Sequence, residues 1–379
     1  MAFRRRELMQ AARRGLATGT LLLGTYPLRT LQLLAQQASL VSLKEAAAMK
    51  GIHYGSVCDI RFVAAPPAYT ALFQQQCALC ASDIWAPTFN PGPGVFNFQN
   101  SEGANIDFAS ADGLPLTGAH LLWYYHLPPW FEGLTGRQAA TQAMVDYVHT
   151  VAAHYKGKTY SWNVVNEALE PRDGQPFGMR RCWPLKMIGP EYFDLAFRTA
   201  RVADPDALLI YNDSGFELDT AEQERRRSSL LTLIDELQRQ KTPVDGVGLQ
   251  SHLKLTEFGH FHEKRYRGFL GEIAVRGLKI LITELDVLDI GAPSDIAQRD
   301  KAVAEVYRRF LTTALDEPAV KAVVTWGLCD RYTWLNPQSD PSFARPDGLP
   351  TRPLPFDDDL RPTPVYYAMM EAFNGASRR

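Results

Sequence analysis

The sequence predicts an α/β protein, a (β/α)8 TIM barrel forming a single catalytic domain. Three observations predict it. Short apolar runs alternate with longer amphipathic segments, the pattern of repeated βα units around a parallel sheet. The runs number eight. No low-complexity linker or shift of composition divides the body, which extends from about residue 43 to residue 372.

In chain order the predicted strands are 51–55, 82–86, 115–123, 160–165, 207–211, 246–250, 279–283 and 322–326. Their β-branched and aromatic content suits strands buried on both faces. Between them lie helices: Met144, Tyr147, Val148, Val151 and Tyr155 share one helical face, as do Val303, Val306, Tyr307, Phe310 and Leu311. The proline-rich stretch 337–364 follows the last strand. Its stiffness predicts a long loop beside the site, with an irregular surface insertion as the alternative.

With 379 residues, 46% hydrophobic and 22% charged, the chain can bury a large core. A formal charge of −2 offers nothing to a polyanion, so neither nucleic acid nor an anionic membrane is an expected partner, and a neutral substrate fits better. The N-terminus carries Arg4-Arg5-Arg6-Glu7-Leu8-Met9 and Arg13-Arg14, then a charge-free stretch over 15–28. Residues 1–40 read as an export signal of twin-arginine type, which places the protein in the periplasm or outside the cell; a basic amphipathic arm or disordered tail is the alternative. The charge-free stretch is too short to span a bilayer, so no integral membrane segment is expected.

Five scattered cysteines, an odd number, argue against a disulfide framework. Cys77 and Cys80 have the spacing of a redox or metal pair, but no second Cys or His pair accompanies them, and they read as buried apolar residues. With no metal-ligand cluster, phosphate-cradling loop or nucleotide fingerprint in the sequence, no metal and no cofactor are expected. Oligomeric state is not encoded in any of these features.

Glu167 follows the run Trp162-Asn163-Val164-Val165-Asn166, and Glu284 follows Ile282-Thr283, each where an apolar strand gives way to a polar loop. In the barrel frame they follow the fourth and seventh strands, on the C-terminal rim where barrel active sites form. Two carboxylates facing each other there can cleave a glycosidic bond, one as proton donor and the other as nucleophile or base.

Four segments then carry a resemblance: 162–168, Gly248-Leu249-Gln250-Ser251-His252, 282–286, and Thr325-Trp326-Gly327 with Asp330, Tyr332 and Trp334. In order and spacing they are similar to the signature segments of glycoside hydrolase family 10 xylanases, and the similarity runs from about residue 50 through Pro362-Thr363-Pro364-Val365-Tyr366-Tyr367. The resemblance implies Glu167 as general acid/base and Glu284 as the nucleophile that forms a glycosyl-enzyme. It implies that Asn166 holds the sugar's 2-hydroxyl, that His252 hydrogen-bonds Glu284 with Asp286 orienting its ring, and that Gln250 lines the same floor. Trp326 and Trp334 become walls for sugar stacking. Trp123 matches the tryptophan of the third-strand segment, and Asn212 is retained after the fifth strand as a further substrate contact. The implied partner is a polysaccharide or oligosaccharide.

The chain also departs from the family. In place of a Glu-Asn-x-x-Lys-Trp pattern it has Ala81-Ser82-Asp83-Ile84-Trp85, so Ala81, Ser82 and Trp85 replace three polar anchors for sugars on the non-reducing side. In the third-strand segment Ala119 takes the histidine position, Tyr124 also differs, and the histidine is displaced by one residue to His120. A one-residue slip turns a side chain to the other face, so His120 is not expected to stand in for the lost histidine unless the strand bulges. Ser214-Gly215 stands where an aromatic and an Asn are common. The expected activity is a retaining endo-acting β-1,4-glycanase, a xylanase by resemblance. The alternatives are a retaining hydrolase of another β-linked glycan or oligosaccharide, and a non-catalytic glycan-binding protein on the same fold.

Overall fold

Nine strands lie side by side in a computed structural model that describes residues 41–58 and 66–379. The N-terminal segment expected to direct export lies outside the described residues. The strands are β1 (His53–Val57), β2 (Leu79–Ala81), β3 (Leu116–Thr117), β4 (Ala119–Trp123), β5 (Ser161–Asn166), β6 (Leu208–Asp213), β7 (Gly246–Leu249), β9 (Lys279–Leu288) and β10 (Val320–Thr325); β8 (His252–Lys254) is a short addition to β9. Their order is β3-β2-β1-β10-β9-β7-β6-β5-β4, with every pairing parallel.

β3 and β4 are halves of one strand, parted at Gly118. β3 pairs with β2 and β4 with β5, so the ring continues across the break, and with the halves counted together the nine strands fill eight barrel positions. Inside, Leu79, Ile210, Leu281 and Ala322 meet in one buried cluster. Continuous apolar strands make sense here because the barrel interior covers one face and the helices cover the other.

The two predicted helical faces lie on helices Arg137–His154, with Tyr155 as its C-cap, and Ile296–Ala314, and all ten residues of those faces are buried. The second strand differs from expectation. It runs Leu79–Ala81 rather than 82–86 because Pro87 sits in the first turn of helix Ala86–Phe89, where its fixed φ favours a helix start and draws 82–85 into the rim loop. Asp83 and Trp85 therefore stand at the C-terminal mouth of the barrel.

The stretch 337–364 contains only one short helical turn, Pro341–Phe343. Arg345 donates to the Ala292 carbonyl at 3.0 Å, Arg352 pairs with Asp300 at 2.7 Å, and Phe343 packs edge-on against Trp334 with ring centroids 5.1 Å apart. A cavity of about 670 Å³ opens at the opposite end of the barrel, among strand-leading residues such as His53, Tyr160, Lys279 and Lys321, away from both glutamates. Among the described residues no helix is long and apolar enough to cross a membrane.

Candidate active site

Glu167 begins where β5 can no longer continue. Its φ of 53° lies in the left-handed region that non-glycine residues enter rarely, and the surrounding hydrogen bonds hold it there. Its N–H donates to the Asn212 carbonyl (2.9 Å), the Ala168 N–H to the Tyr211 hydroxyl (3.2 Å), and the Leu169 N–H to Asp213 (3.1 Å). Arg180 donates to the Glu167 carbonyl at 2.9 Å. The half-buried carboxylate then accepts from Trp123 Nε1 on Oε2 and from Gln250 Nε2 on Oε1, both at 2.9 Å.

Glu284 is placed by a bulge. Ile282 lies opposite Val323 but Leu285 lies opposite Thr325, so β9 carries one residue more than β10 across this step. In a regular strand Thr283 and Glu284 would face opposite sides. The extra residue lets both reach Asn212, with Thr283 Oγ1 donating to Asn212 Oδ1 (2.7 Å) and Asn212 Nδ2 donating to Glu284 Oε1 (2.9 Å). A similar irregularity precedes Glu167: Asn163 lies opposite Ile210 but Val165 opposite Tyr211.

The other oxygen of Glu284 meets His252. Nε2 of the ring is 3.0 Å from Glu284 Oε2 and Nδ1 is 2.9 Å from Asp286 Oδ1, while Trp334 Nε1 donates to Asp286 Oδ2 at 2.6 Å. Burial works against charge on this ring. The Asp286 and Glu284 carboxylates outweigh it and hold the His252 pKa well above the ordinary histidine value, so both ring nitrogens donate. Burial would likewise raise the Glu284 carboxyl, but the His120 and His252 rings beside it bring it down to about 2. At neutral pH Glu284 is a buried, hydrogen-bonded anion.

Asn212 is 0% exposed; both hydrogens of its Nδ2 are used, on Glu284 Oε1 and Asn166 Oδ1 (2.9 Å each), and its Oδ1 accepts from Thr283. Gly248 makes room for it: a Cβ there would stand 2.1 Å from Asn212 Oδ1. Because Asn212 fixes Asn166 Oδ1, the buried Nδ2 of Asn166 is left without a partner. Trp334 and Trp326 ring His252, with centroids 5.1 and 6.3 Å from it. The structure thus brings Glu167, Glu284, Asn166, Asn212, Gln250, His252, Asp286, Trp123, Trp326 and Trp334 to one rim.

The displaced histidine points inward. Gly118 takes a φ of 70°, a turn that glycine adopts without cost, and the break it makes resets the facing of β4. His120 Nε2 lies 3.7 Å from Glu284 Oε1, and Nδ1 lies 3.4 Å from Asp83 Oδ1. The expectation that His120 faces away is therefore corrected by a kink rather than by a bulge. Asp83 escaped the sequence reading altogether, its only signal being its place beside the missing anchors. Above them Trp85 packs against His126 (centroids 3.8 Å apart) and Trp123 (6.3 Å), and Tyr125, 68% exposed, adjoins both Trp123 and His126.

A parallel barrel with two glutamates at its C-terminal rim, one a supported anion, has the equipment of a glycoside hydrolase. The family model for Glycosyl hydrolase family 10 matches residues 42–372. The chain belongs to this family. It is 31% identical over 341 residues to an endo-1,4-beta-xylanase B of Thermotoga neapolitana, covering 87% of this chain and 91% of that one. An endo-1,4-beta-xylanase A of Thermotoga maritima is 32% identical over 286 residues, but the chain spans only 25% of that longer relative. Among solved structures, native xylanase 10B from Thermotoga maritima superposes with a TM-score of 0.76 at 32% identity, covering 88% of this chain and 98% of that one. Xylanase 10B from Thermotoga petrophila RKU-1, in complex with xylobiose, does so with 0.75 at 30%, covering 88% and 98%.

Proposed function

We propose that the protein is a retaining endo-1,4-β-xylanase whose catalytic domain spans about residues 43–372. The observation that carries this reading is the placement of Glu284, a buried carboxylate flanked by the His120 and His252 rings, hydrogen-bonded by Asn212 and aimed by the β9 bulge into the rim that also holds Glu167. A nucleophile must be unprotonated before it attacks.

In this mechanism a Glu284 oxygen attacks the anomeric carbon while Glu167 gives its proton to the leaving glycosidic oxygen, and a neutral glycosyl ester forms. Water, deprotonated by Glu167, then attacks the same carbon from the opposite face and frees Glu284, so configuration is retained. The unpartnered Asn166 Nδ2 is a donor for the 2-hydroxyl, an interaction that strengthens as charge develops on the sugar. Asn212 is assigned to positioning Asn166 and Glu284 rather than to contact with sugar. Gln250 and Trp123 hold the acid/base, and Trp326 and Trp334 offer apolar faces to pyranose rings. A polymeric substrate is hydrolysed outside the membrane, which fits export through the arginine-paired N-terminus.

Glu284→Ala is expected to abolish release of reducing sugar from xylan, with azide restoring turnover of an activated xyloside as the inverted glycosyl azide. An active Glu284→Ala enzyme would end the assignment. One observation favours a second reading of the substrate: Ala81, Ser82 and Trp85 supply no charged or amide anchor on the glycone side. Assay on linear xylan, arabinoxylan and β-glucan separates the readings, since fastest turnover of β-glucan would replace xylan as the substrate.

A further inference from the structure

Glu284 is approached from two sides. His252 and Asp286 reach it from β8 and β9. From the other side come His120, on β4, and Asp83, in the loop after β2. Both nitrogens of the buried His120 ring and the Oδ1 of Asp83 lack a well-formed hydrogen bond, and the two gaps, 3.7 Å to Glu284 and 3.4 Å to Asp83, are within ion-pair reach. An imidazole left in this way between two carboxylates is held by charge. Burial opposes its protonation, but Glu284, Asp83 and Glu167 together raise its pKa.

Taking Glu284 as the nucleophile, we propose that Asp83 and His120 form a second carboxylate–imidazole arm on it, in which Asp83 is a positioning residue whose anion the glycosylation step requires. The reasoning follows the charge. When Glu284 bonds to the anomeric carbon its negative charge is consumed, and the electron pair of the broken C–O bond leaves with the oxygen that Glu167 protonates. Each imidazolium beside Glu284 loses one anionic neighbour in that step. His252 keeps Asp286, and His120 keeps Asp83. With Asp83 ionised, His120 remains compensated and no proton has to leave the site. With Asp83 protonated, the approach to the ester leaves a buried, uncompensated cation, and the barrier rises.

The groups that face this arm set where Asp83 changes state. Burial pushes its carboxyl up to about 6; His120 opposes that, while Glu284, Glu102 and Glu167 add to it. His126, beside Trp85 and Trp123, has its pKa lowered by burial and by the charge of His120. Beyond the arm, Asp213 is also raised to about 6 by burial, but it is bound to Arg226 and to the Leu169 N–H.

The test is the pH profile of kcat/KM on an aryl β-xylobioside, for wild type, Asp83→Asn, His120→Asn and the double variant, each checked for folding by thermal unfolding. Wild type is expected to lose activity as the pH falls through about 6. Asp83→Asn should lack that inflection and run flat, at a level lower by roughly tenfold or more at pH 7. The double variant should be no worse than the poorer single one. A profile for Asp83→Asn that keeps the inflection near 6 assigns it elsewhere, Asp213 included, and overturns the proposal, as does strict multiplicativity of the two losses. Slower trapping of the glycosyl-enzyme by a 2-fluoro-xylobioside in Asp83→Asn, at pH 7 but not at pH 5, would support the same step. The azide experiment on Glu284→Ala judges the nucleophile separately, so failure of the arm and failure of that reading are told apart.

Discussion

Replacing His252 with Gln removes the charge from the centre of the Asp286–His252–Glu284 chain while leaving a side chain able to donate one hydrogen bond. A carboxyl that loses its proton at about 2 instead of at an ordinary 4.5 is held as an anion by about 3 kcal/mol, and His252 is one of the two rings that supply this. The same order of magnitude follows from breaking a buried ion pair, about 3–5 kcal/mol, because Asp286 and Glu284 are both buried. The pH dependence has a definite sign. The depressed Glu284 pKa stabilises the folded wild type above pH 4.5, and this is lost as the pH falls through about 2. The raised His252 pKa contributes fully below about 6.5 and is lost as the pH rises through its higher folded value. Wild type should therefore exceed His252→Gln by the most between about pH 4.5 and 6.5. Urea unfolding across pH 3 to 8 measures this. A variant as stable as wild type at pH 5.5, or a gap that widens towards pH 3, would refute the reasoning.

Two further substitutions probe the frame. Gly248→Ala places a Cβ 2.1 Å from Asn212 Oδ1 and 3.0 Å from Thr283 Cγ2, so Asn212 must move; because it holds both Asn166 and Glu284, kcat on a xylooligosaccharide is expected to fall roughly a hundredfold with the fold intact by circular dichroism. Trp334→Phe keeps a ring against His252 but removes the donor to Asp286, a hydrogen bond to a charged group worth about 1.5–3 kcal/mol, and kcat/KM should drop by at least about tenfold.

Most of the barrel and its rim was legible in the sequence because parallel strands buried on both faces leave long apolar runs, and because a strand that ends in Asn-Glu or Thr-Glu has few structural reasons to do so. What escaped had little or no local signal. The break at Gly118 depends on one glycine taking a positive φ, and the periodicity of 115–123 reads as unbroken without it. The bulges before Glu167 and Glu284 are properties of pairing, visible only when a partner strand shows the mismatch. Residues 82–86 read as a strand from Ile84 and Trp85, while Pro87 one step beyond was the feature that decided the chain's path. Asn212 reads as a sugar contact from its place after the fifth strand, and its burial beneath Asn166, Thr283 and Glu284 has no signal in the local sequence.

The wiring of the rim explains why substrate reading can diverge while the reacting pair stays put. Asn212 touches both carboxylate residues, with its carbonyl on the Glu167 N–H and its amide on Glu284. Gln250 does the same in reverse, with its side chain on Glu167 and its carbonyl on the Glu284 N–H. Each glutamate is thus fixed to β6 and to the end of β7, and the distance between them is set by strands that carry none of the glycone-side changes. Ala81, Ser82, Trp85 and Ala119 lie on β2, β4 and the loop after β2. From that side the contacts with the reacting pair are the Trp123 N–H on Glu167 and the long His120 contact with Glu284. Exchanging polar anchors for aromatic side chains in the loops after β2 and β4 therefore leaves in place the contacts that β6 and the end of β7 make with the two glutamates.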